Sequence, residues 1–318
     1  MPPAVSQTPE ELTGTVAPAV NVADGEGQPH RFRVADYAVI LKPRVMSLVV
    51  FTALVGLLLA PGTIAPLTAV IAVACIAVGA GASGAINMWY DQDIDRTMRR
   101  TMNRPIPAGR MRPFEALVVG TVLSIVSVAT MSWFVGGLAG TLLAVTILYY
   151  VFIYTIWLKR RTPQNIVIGG ASGALPPVIG WVAVTGDIGL GAVVLFLIIF
   201  LWTPPHSWAL ALYRNADYMA AGVPMMPVVA GERRTKEMML IYTALLVPTT
   251  LLPVAIGLSG GIYLAAALVL GGLFGRHAYK VWRDETMASA RPMFLFSILY
   301  LFLIFVSLVV DRAFFLPI

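Results

Sequence analysis

Asn87, Asp91 and Asp95 recur at every fourth residue in the segment Asn87-Met-Trp-Tyr-Asp91-Gln-Asp93-Ile-Asp95-Arg96. On a helix that spacing places one carboxamide and two carboxylates on a single face, while Asp93 falls on the opposite side. Two carboxylates one turn apart repel, so a positive partner is expected beside them. Cations follow at once, in Arg96, Arg99, Arg100 and Arg104. Oxygen donors flanked by guanidinium groups suit a divalent ion bridging to a polyphosphate. Mg²⁺ takes one or two carboxylates plus phosphate oxygens, and Arg pairs bidentately with the oxygens that remain. Spacing alone is equally compatible with a hydrated helix end carrying surface ion pairs.

A second polar cluster, Tyr213-Arg214-Asn215-Ala216-Asp217-Tyr218, is followed by Gly222-Val-Pro-Met-Met-Pro227. Tyr213 precedes Asp217 by one turn, as Asn87 precedes Asp91. Lys159, Arg160 and Arg161 form a third group that could reach the same vestibule. Each of these also reads as a plain loop ion pair or as topology charge. His206 lies deeper, in Trp202-Thr-Pro-Pro-His206-Ser-Trp208. Pro204 and Pro205 are expected to kink the helix there and free backbone carbonyls. An ionisable group at that depth is a functional candidate, as an axial iron ligand, a proton carrier or a hydrogen-bonded structural group.

The elements that must carry these side chains are membrane spans. The chain has 318 residues, 58% hydrophobic and 12% charged, with a mean hydropathy of +0.81. Soluble domains carry about 25% charged residues, so an ordinary soluble enzyme, a disordered chain and a nucleic-acid-binding domain are excluded. The single cysteine, Cys75, sits in an apolar run and excludes a disulfide framework or a cysteine metal cluster. A bilayer core needs roughly 20 apolar residues in helix. Nine runs fit, at about 38–59, 66–90, 114–134, 138–158, 166–185, 189–213, 237–258, 260–280 and 292–311. Lys42 and Arg44 interrupt the first, so residues 38–44 could lie along the interface. Continuous apolar runs exclude a barrel.

With the N-terminus inside, the loops assigned to that side hold every Lys and Arg of the 22 except Arg312. That asymmetry is a positive-inside pattern and places the C-terminus outside. Residues 1–36 hold Glu10, Glu11, Asp24 and Glu26 with no apolar period. They read as a mobile cytosolic tail, lacking the short apolar core of a cleaved signal. Residues 37–318 then form one intramembrane domain. A loose repeat relates the second span, ending in acid at Asp91, to the sixth, ending near Asp217.

The stretch NMWYDQDIDRTMRRTMNRP (87–105) resembles the Asn-x-x-x-Asp-x-x-x-Asp signature of the UbiA superfamily of intramembrane prenyltransferases. LKRRTPQNIVIGGASGALPPVIGW (158–181) and TPPHSWALALYRNADYMAAGVPMMPVVAG (203–231) narrow the likeness to its heme-modifying branch. The resemblance covers about residues 37–311. Many members of the superfamily carry a second acid four residues beyond Asp217, where this chain has Ala221; the heme branch shares that reduced motif.

The resemblance implies an all-α fold, nine transmembrane helices around a central apolar cavity, in the inner membrane of a bacterium. It implies transfer of a farnesyl group from farnesyl diphosphate to a vinyl group of heme b, giving heme O. The competing reading within the superfamily is prenylation of another aromatic ring or a quinone precursor. Asn87, Asp91 and Asp95 would hold Mg²⁺ and, with Asp217, form the catalytic group. Arg100 and Arg104 would hold the diphosphate, and Lys159, Tyr213 and Arg214 the facing wall. His206 would contact the heme iron or the porphyrin. The implied partners are the two substrates, the lipid bilayer, and a heme A synthase or the assembly of a heme–copper oxidase, with no nucleic acid.

Overall fold

A computed structural model describes residues 33–314, and every regular element among them is a helix. The order is α1 (Val34–Ile40), α2 (Pro43–Leu59), α3 (Pro66–Tyr90), α4 (Gln92–Thr97), α5 (Pro113–Phe134) and α6 (Gly137–Leu148). The last of these runs directly into a π-helical segment, Tyr149–Leu158. Then come α7 (Asn165–Ala174), α8 (Pro176–Thr185), α9 (Leu190–Tyr213), α10 (Asn215–Ala220), α11 (Met226–Thr249), α12 (Leu252–Ala255), α13 (Gly261–Arg283) and α14 (Ala290–Phe314). Proline starts several of them, at Pro43, Pro66, Pro113 and Pro176, where its fixed φ fits the first turn and its missing N–H costs nothing.

Among the described residues eight helical stretches are long and apolar enough to cross a membrane; a ninth follows if α1 and α2 count as one span. The spans match the apolar runs of the sequence within a few residues, with two informative differences. The first run is broken between Ile40 and Pro43, and its halves meet at 53°. Proline disfavours the right-handed helical region for the residue before it, and Lys42 takes the left-handed region (φ 52°, ψ 51°). The seventh run begins earlier than expected, because α11 starts at Met226 and kinks at Gly231 (φ 80°, ψ 165°). Glu232, Arg233, Arg234 and Lys236 carry it beyond its apolar part. The helix α9 runs through Pro204 and Pro205 without interruption.

The expected tail lies outside the described residues up to 32. Its last part is helical in α1, where Asp36 is buried and accepts a hydrogen bond from Arg110 Nε at 3.0 Å. Arg110 also donates to the Asn103 carbonyl at 3.0 Å. Residues 98–112, which join α4 to α5, are thereby tied beneath α1.

Glycines set the closest helix crossings. A Cβ on Gly56 of α2 would lie 2.1 Å from the Pro177 carbonyl oxygen, and one on Gly180 of α8 would lie 2.0 Å from the Ala53 carbonyl oxygen. These backbones touch, as small-residue interfaces permit in a bilayer where the hydrophobic effect does not drive helices together. Large apolar side chains on α5, α13 and α14 point outward, among them Ile125, Trp133, Val269 and Phe302. A water-soluble protein does not expose apolar surface of that extent; the chain is a multi-pass membrane protein.

The two halves share a local design. In each, a long helix ends, one residue breaks the run (Asp91 or Arg214), and a six-residue helix follows, α4 or α10. Gly56→Leu and Gly180→Leu should each lower the thermal midpoint in detergent by several degrees, since overpacking costs about 1–3 kcal/mol. Gly173→Ala, whose Cβ would meet open space, should leave it unchanged. A midpoint unmoved in both leucine variants would show that α2 and α8 part freely.

Candidate active site

Asn87 occupies the last turn of α3, Asp91 the junction and Asp95 the short helix α4. The helical hydrogen-bond ladder continues across the junction, from Asp91 N to the Asn87 carbonyl (2.9 Å) and from Asp95 N to the Asp91 carbonyl (2.8 Å). That continuity keeps the three side chains in one row. Asn87 Nδ2 donates to Asp91 Oδ2 at 2.7 Å and to Thr155 Oγ1 of the π-helical segment at 3.2 Å. All three side chains of the row are buried, and Asp91 is inaccessible to solvent.

The expected positive partners come from three separate parts of the chain. Lys42, at the break between α1 and α2, donates to Asn87 Oδ1 at 2.8 Å. Lys159, just past the π-helical segment, donates to Asp91 Oδ2, and Arg160 Nη2 lies 3.7 Å from Asp91 Oδ1. Arg104, in the tied-down loop, pairs with Asp95 Oδ2 at 2.7 Å. A cavity of about 150 Å³ opens beside this row. Lys42, Asn87, Asp95, Arg100, Arg104 and Lys159 supply its polar wall, and Tyr150, Tyr154, Tyr218, Ile94, Met98, Ile166 and Met225 complete it.

Of the residues singled out in the sequence, Asn87, Asp95, Arg100, Arg104 and Lys159 therefore meet at one cavity, with Asp91 directly behind. The others lie apart from its lining. Asp217 is half-buried on α10, with Arg214 Nη1 3.9 Å away. The Arg214 guanidinium covers the exposed Tyr213 ring at 4.6 Å. His206 packs between α9 and α14, its Nδ1 2.7 Å from Ser297 Oγ. Asp93 is exposed on the far side of α4 and takes two 2.7 Å hydrogen bonds from Arg160. Those bonds hold its carboxyl below the usual carboxylate range.

Sequence reasoning missed Lys42, Thr155, Tyr150 and Tyr154 as site residues, and it placed Tyr218 in the second cluster without giving it a role. Lys42 left a usable signal, a lone cation inside an apolar run directly before proline. Thr155 and the two π-segment tyrosines left none, because a ten-residue π-helix shifts which side chains share a face.

The donor set can be tested against a divalent ion. Among the described residues no three His, Cys, Asp or Glu side chains gather as a metal cluster. The row offers hard oxygen donors only, so an ion bound here must complete its shell with ligand oxygens and water, which is the habit of Mg²⁺. Asp91 Oδ1 is buried without a hydrogen-bond partner and remains free to accept. The residues fit an Mg²⁺ that arrives together with an anionic ligand.

A cavity lined by four cations beside buried carboxylates, inside an all-α membrane bundle, has the charge to suit an anionic ligand. A model of the UbiA prenyltransferase family matches residues 49–306, and the chain belongs to that family. It is a prenyltransferase. The protoheme IX farnesyltransferase of Parvibaculum lavamentivorans is 58% identical over 281 residues, covering 87% of this chain and 88% of that protein. The protoheme IX farnesyltransferase of Bartonella tribocorum is 52% identical over 301 residues, covering 93% and 97%. Among solved structures, a UbiA homologue from Aeropyrum pernix K1 matches with a TM-score of 0.64 at 20% identity, over 85% of this chain and 99% of that one. A UbiA homologue from Archaeoglobus fulgidus bound to GPP and Mg²⁺ matches with a TM-score of 0.58 at 16% identity, over 86% and 99%. These structural likenesses establish the shared fold.

The Asp93–Arg160 pair makes a prediction about pH. A carboxylate whose folded pKa is depressed stabilises above its unfolded value, about 3.9, and loses that contribution as pH falls through the folded value. The difference in thermal midpoint between the native chain and Asp93→Asn should stay flat from pH 5 to pH 8, as order-of-magnitude limits, and shrink only below about pH 4. A difference that varies near neutrality would mean that another group controls the pair.

Proposed function

We propose that the chain transfers the farnesyl group of farnesyl diphosphate to a vinyl group of heme b, giving heme O and diphosphate. The observation that carries this reading is the cavity where Lys42, Arg100, Arg104 and Lys159 face Asn87 and Asp95, with Asp91 buried behind. Four cations outnumber the two carboxylates and suit a diphosphate. The names of the relatives, identical to this chain at 52–58%, supply the acceptor.

In the reaction the allylic C–O bond breaks, and its electron pair leaves with the diphosphate. The vinyl group attacks the allylic carbon, and water then adds to the former vinyl carbon with loss of a proton. Asn87, Asp91 and Asp95 would hold Mg²⁺, which when bound supplies Lewis-acid stabilisation of the developing phosphate charge. Arg100, Arg104, Lys42 and Lys159 hold the remaining phosphate oxygens in a water-poor cavity, where charge-assisted hydrogen bonds count most. Tyr150, Tyr154 and Tyr218, with the apolar bundle behind them, keep bulk water from the allylic cation. Asp217, Arg214 and Tyr213, which lie apart from the cavity lining, would act at its approach, and His206 would contact the heme. The gathering of basic residues in the loops of one side supports a site and an N-terminus on the cytoplasmic side of a bacterial inner membrane, with the C-terminus outside. The product passes to a heme A synthase or to heme–copper oxidase assembly.

The deciding measurement is mass spectrometry of heme extracted from a host that lacks heme O, with and without the expressed chain. A farnesylated hydroxyethyl heme is expected; unaltered heme b together with a prenylated quinone precursor would refute the acceptor. Asp91→Ala and Asp95→Ala should each lower turnover by at least about 100-fold, the scale of one lost electrostatic contact in a transition state. Asp93→Ala should stay close to wild type. Lys42→Met should weaken the apparent affinity for farnesyl diphosphate about tenfold, the worth of one charge-assisted hydrogen bond. Turnover that survives EDTA would remove the metal from the account.

A further inference from the structure

His206 lies about two turns inside the end of α9, and its surroundings define its ring chemically. The imidazole stacks on Trp202, one turn earlier on α9, with centroids 4.2 Å apart and planes 17° apart. It also stacks on Phe294 of α14, at 4.9 Å and 29°. Trp202 is itself fixed, its Nε1 donating to the Ser297 carbonyl at 2.8 Å. These contacts hold the plane of the ring. One further contact fixes its rotation in that plane, 2.7 Å from Nδ1 to Ser297 Oγ.

The proton on that contact can be assigned from the network. A serine hydroxyl carries one hydrogen. Ser297 Oγ spends it on the Phe294 carbonyl one turn back, at 2.6 Å, a usual bond for a helical serine. The oxygen can then only accept from the ring, so Nδ1 bears the proton and Nε2 keeps its lone pair. Among the described residues Nε2 has no hydrogen-bond partner, and it is not among the enclosed polar atoms left without one. A neutral imidazole, held rigid with Nδ1–H committed and Nε2 open, is the arrangement protein metal ligands take.

We infer that His206 Nε2 is an axial ligand for the iron of heme b, and that Ser297 is the positioning residue that selects the required tautomer. The inference rests on the acceptor proposed above. Coordination forms one Fe–N bond from the Nε2 lone pair and displaces no proton, since Nε2 carries none. The ligand fixes the tetrapyrrole along one axis. It leaves the choice of the reacting vinyl edge to contacts around the ring.

The test is titration of heme b into the purified full-length chain in detergent, followed by the Soret band and electron paramagnetic resonance. The wild type should give a nitrogen-ligated spectrum. His206→Gly should lose it, and added imidazole should restore it. Ser297→Ala should weaken heme affinity about tenfold, the lower end of what losing an outer-shell partner costs, and Ser297→Thr should recover most of that loss. A His206→Gly spectrum indistinguishable from wild type overturns the ligand, and Ser297→Ala affinity equal to wild type overturns its positioning role. Heme O formed at the wild-type rate by His206→Gly overturns the ligand while leaving the proposed reaction standing. A wild-type chain that prenylates another ring and binds no heme overturns both.

Discussion

Neutralising Asp91 and Asp95 away from water is the constraint that organises this molecule. A carboxylate taken into a low-dielectric interior costs several kcal/mol unless a counter-charge meets it with good geometry. Here Lys159 and Arg104 provide the direct counter-charges, and Lys42 reaches the row through Asn87. These groups stand at a helix break, in a loop and just past a π-helical segment, all distant from the row in sequence except Arg104. Removing one partner of a buried pair leaves an unpaired charge and costs about 3–5 kcal/mol. The contacts that compose the site therefore also clamp three parts of the bundle together at one end.

The same pairings describe how the site exchanges partners. At rest Arg104 and Lys159 are held by carboxylates and Lys42 by the Asn87 carboxamide. Under the proposed function, an incoming diphosphate would offer oxygens to Lys42, Arg104 and Lys159, and the carboxylates they release would hold the divalent ion that comes with it. Neither half of that exchange is favourable alone: the anion would leave the acids unpaired, and the metal would leave the bases unpaired. Coupling the two lets a buried site accept a highly charged ligand without ever holding a bare charge.

The bundle was largely legible in the sequence because lipid imposes a length and an apolarity on every span. The row Asn87, Asp91 and Asp95 was legible because one helical period fixes its face, and the ladder across the junction preserves that period. The groups that answer it were harder to see. Lys42 is brought to Asn87 by a break at the residue before Pro43, a local effect whose consequence is tertiary. Thr155 meets Asn87 from a segment wound five residues to the hydrogen bond, where a count by fours points to the wrong neighbours. The early start of α11 was hidden by charged residues, which extend a helix past its apolar part as readily as they mark a loop.

The two halves of the chain share an architecture and differ in chemistry. In the first, a span, a one-residue break and a short helix deliver two buried carboxylates. In the second, the same local elements deliver Asp217, which has Arg214 of its own turn beside it, and Ala221 stands where a second acid would extend the row. The second half faces the cavity through Tyr218 and Met225 instead. The charge of the cavity comes from the first half, and the second half contributes aromatic and apolar side chains. Under the proposed function a diphosphate meets the charged set, and a broad, flat, largely apolar acceptor meets the other. A second acidic row would solvate or repel such an acceptor, so the reduced motif is better understood as room made for the ring than as a site in decay.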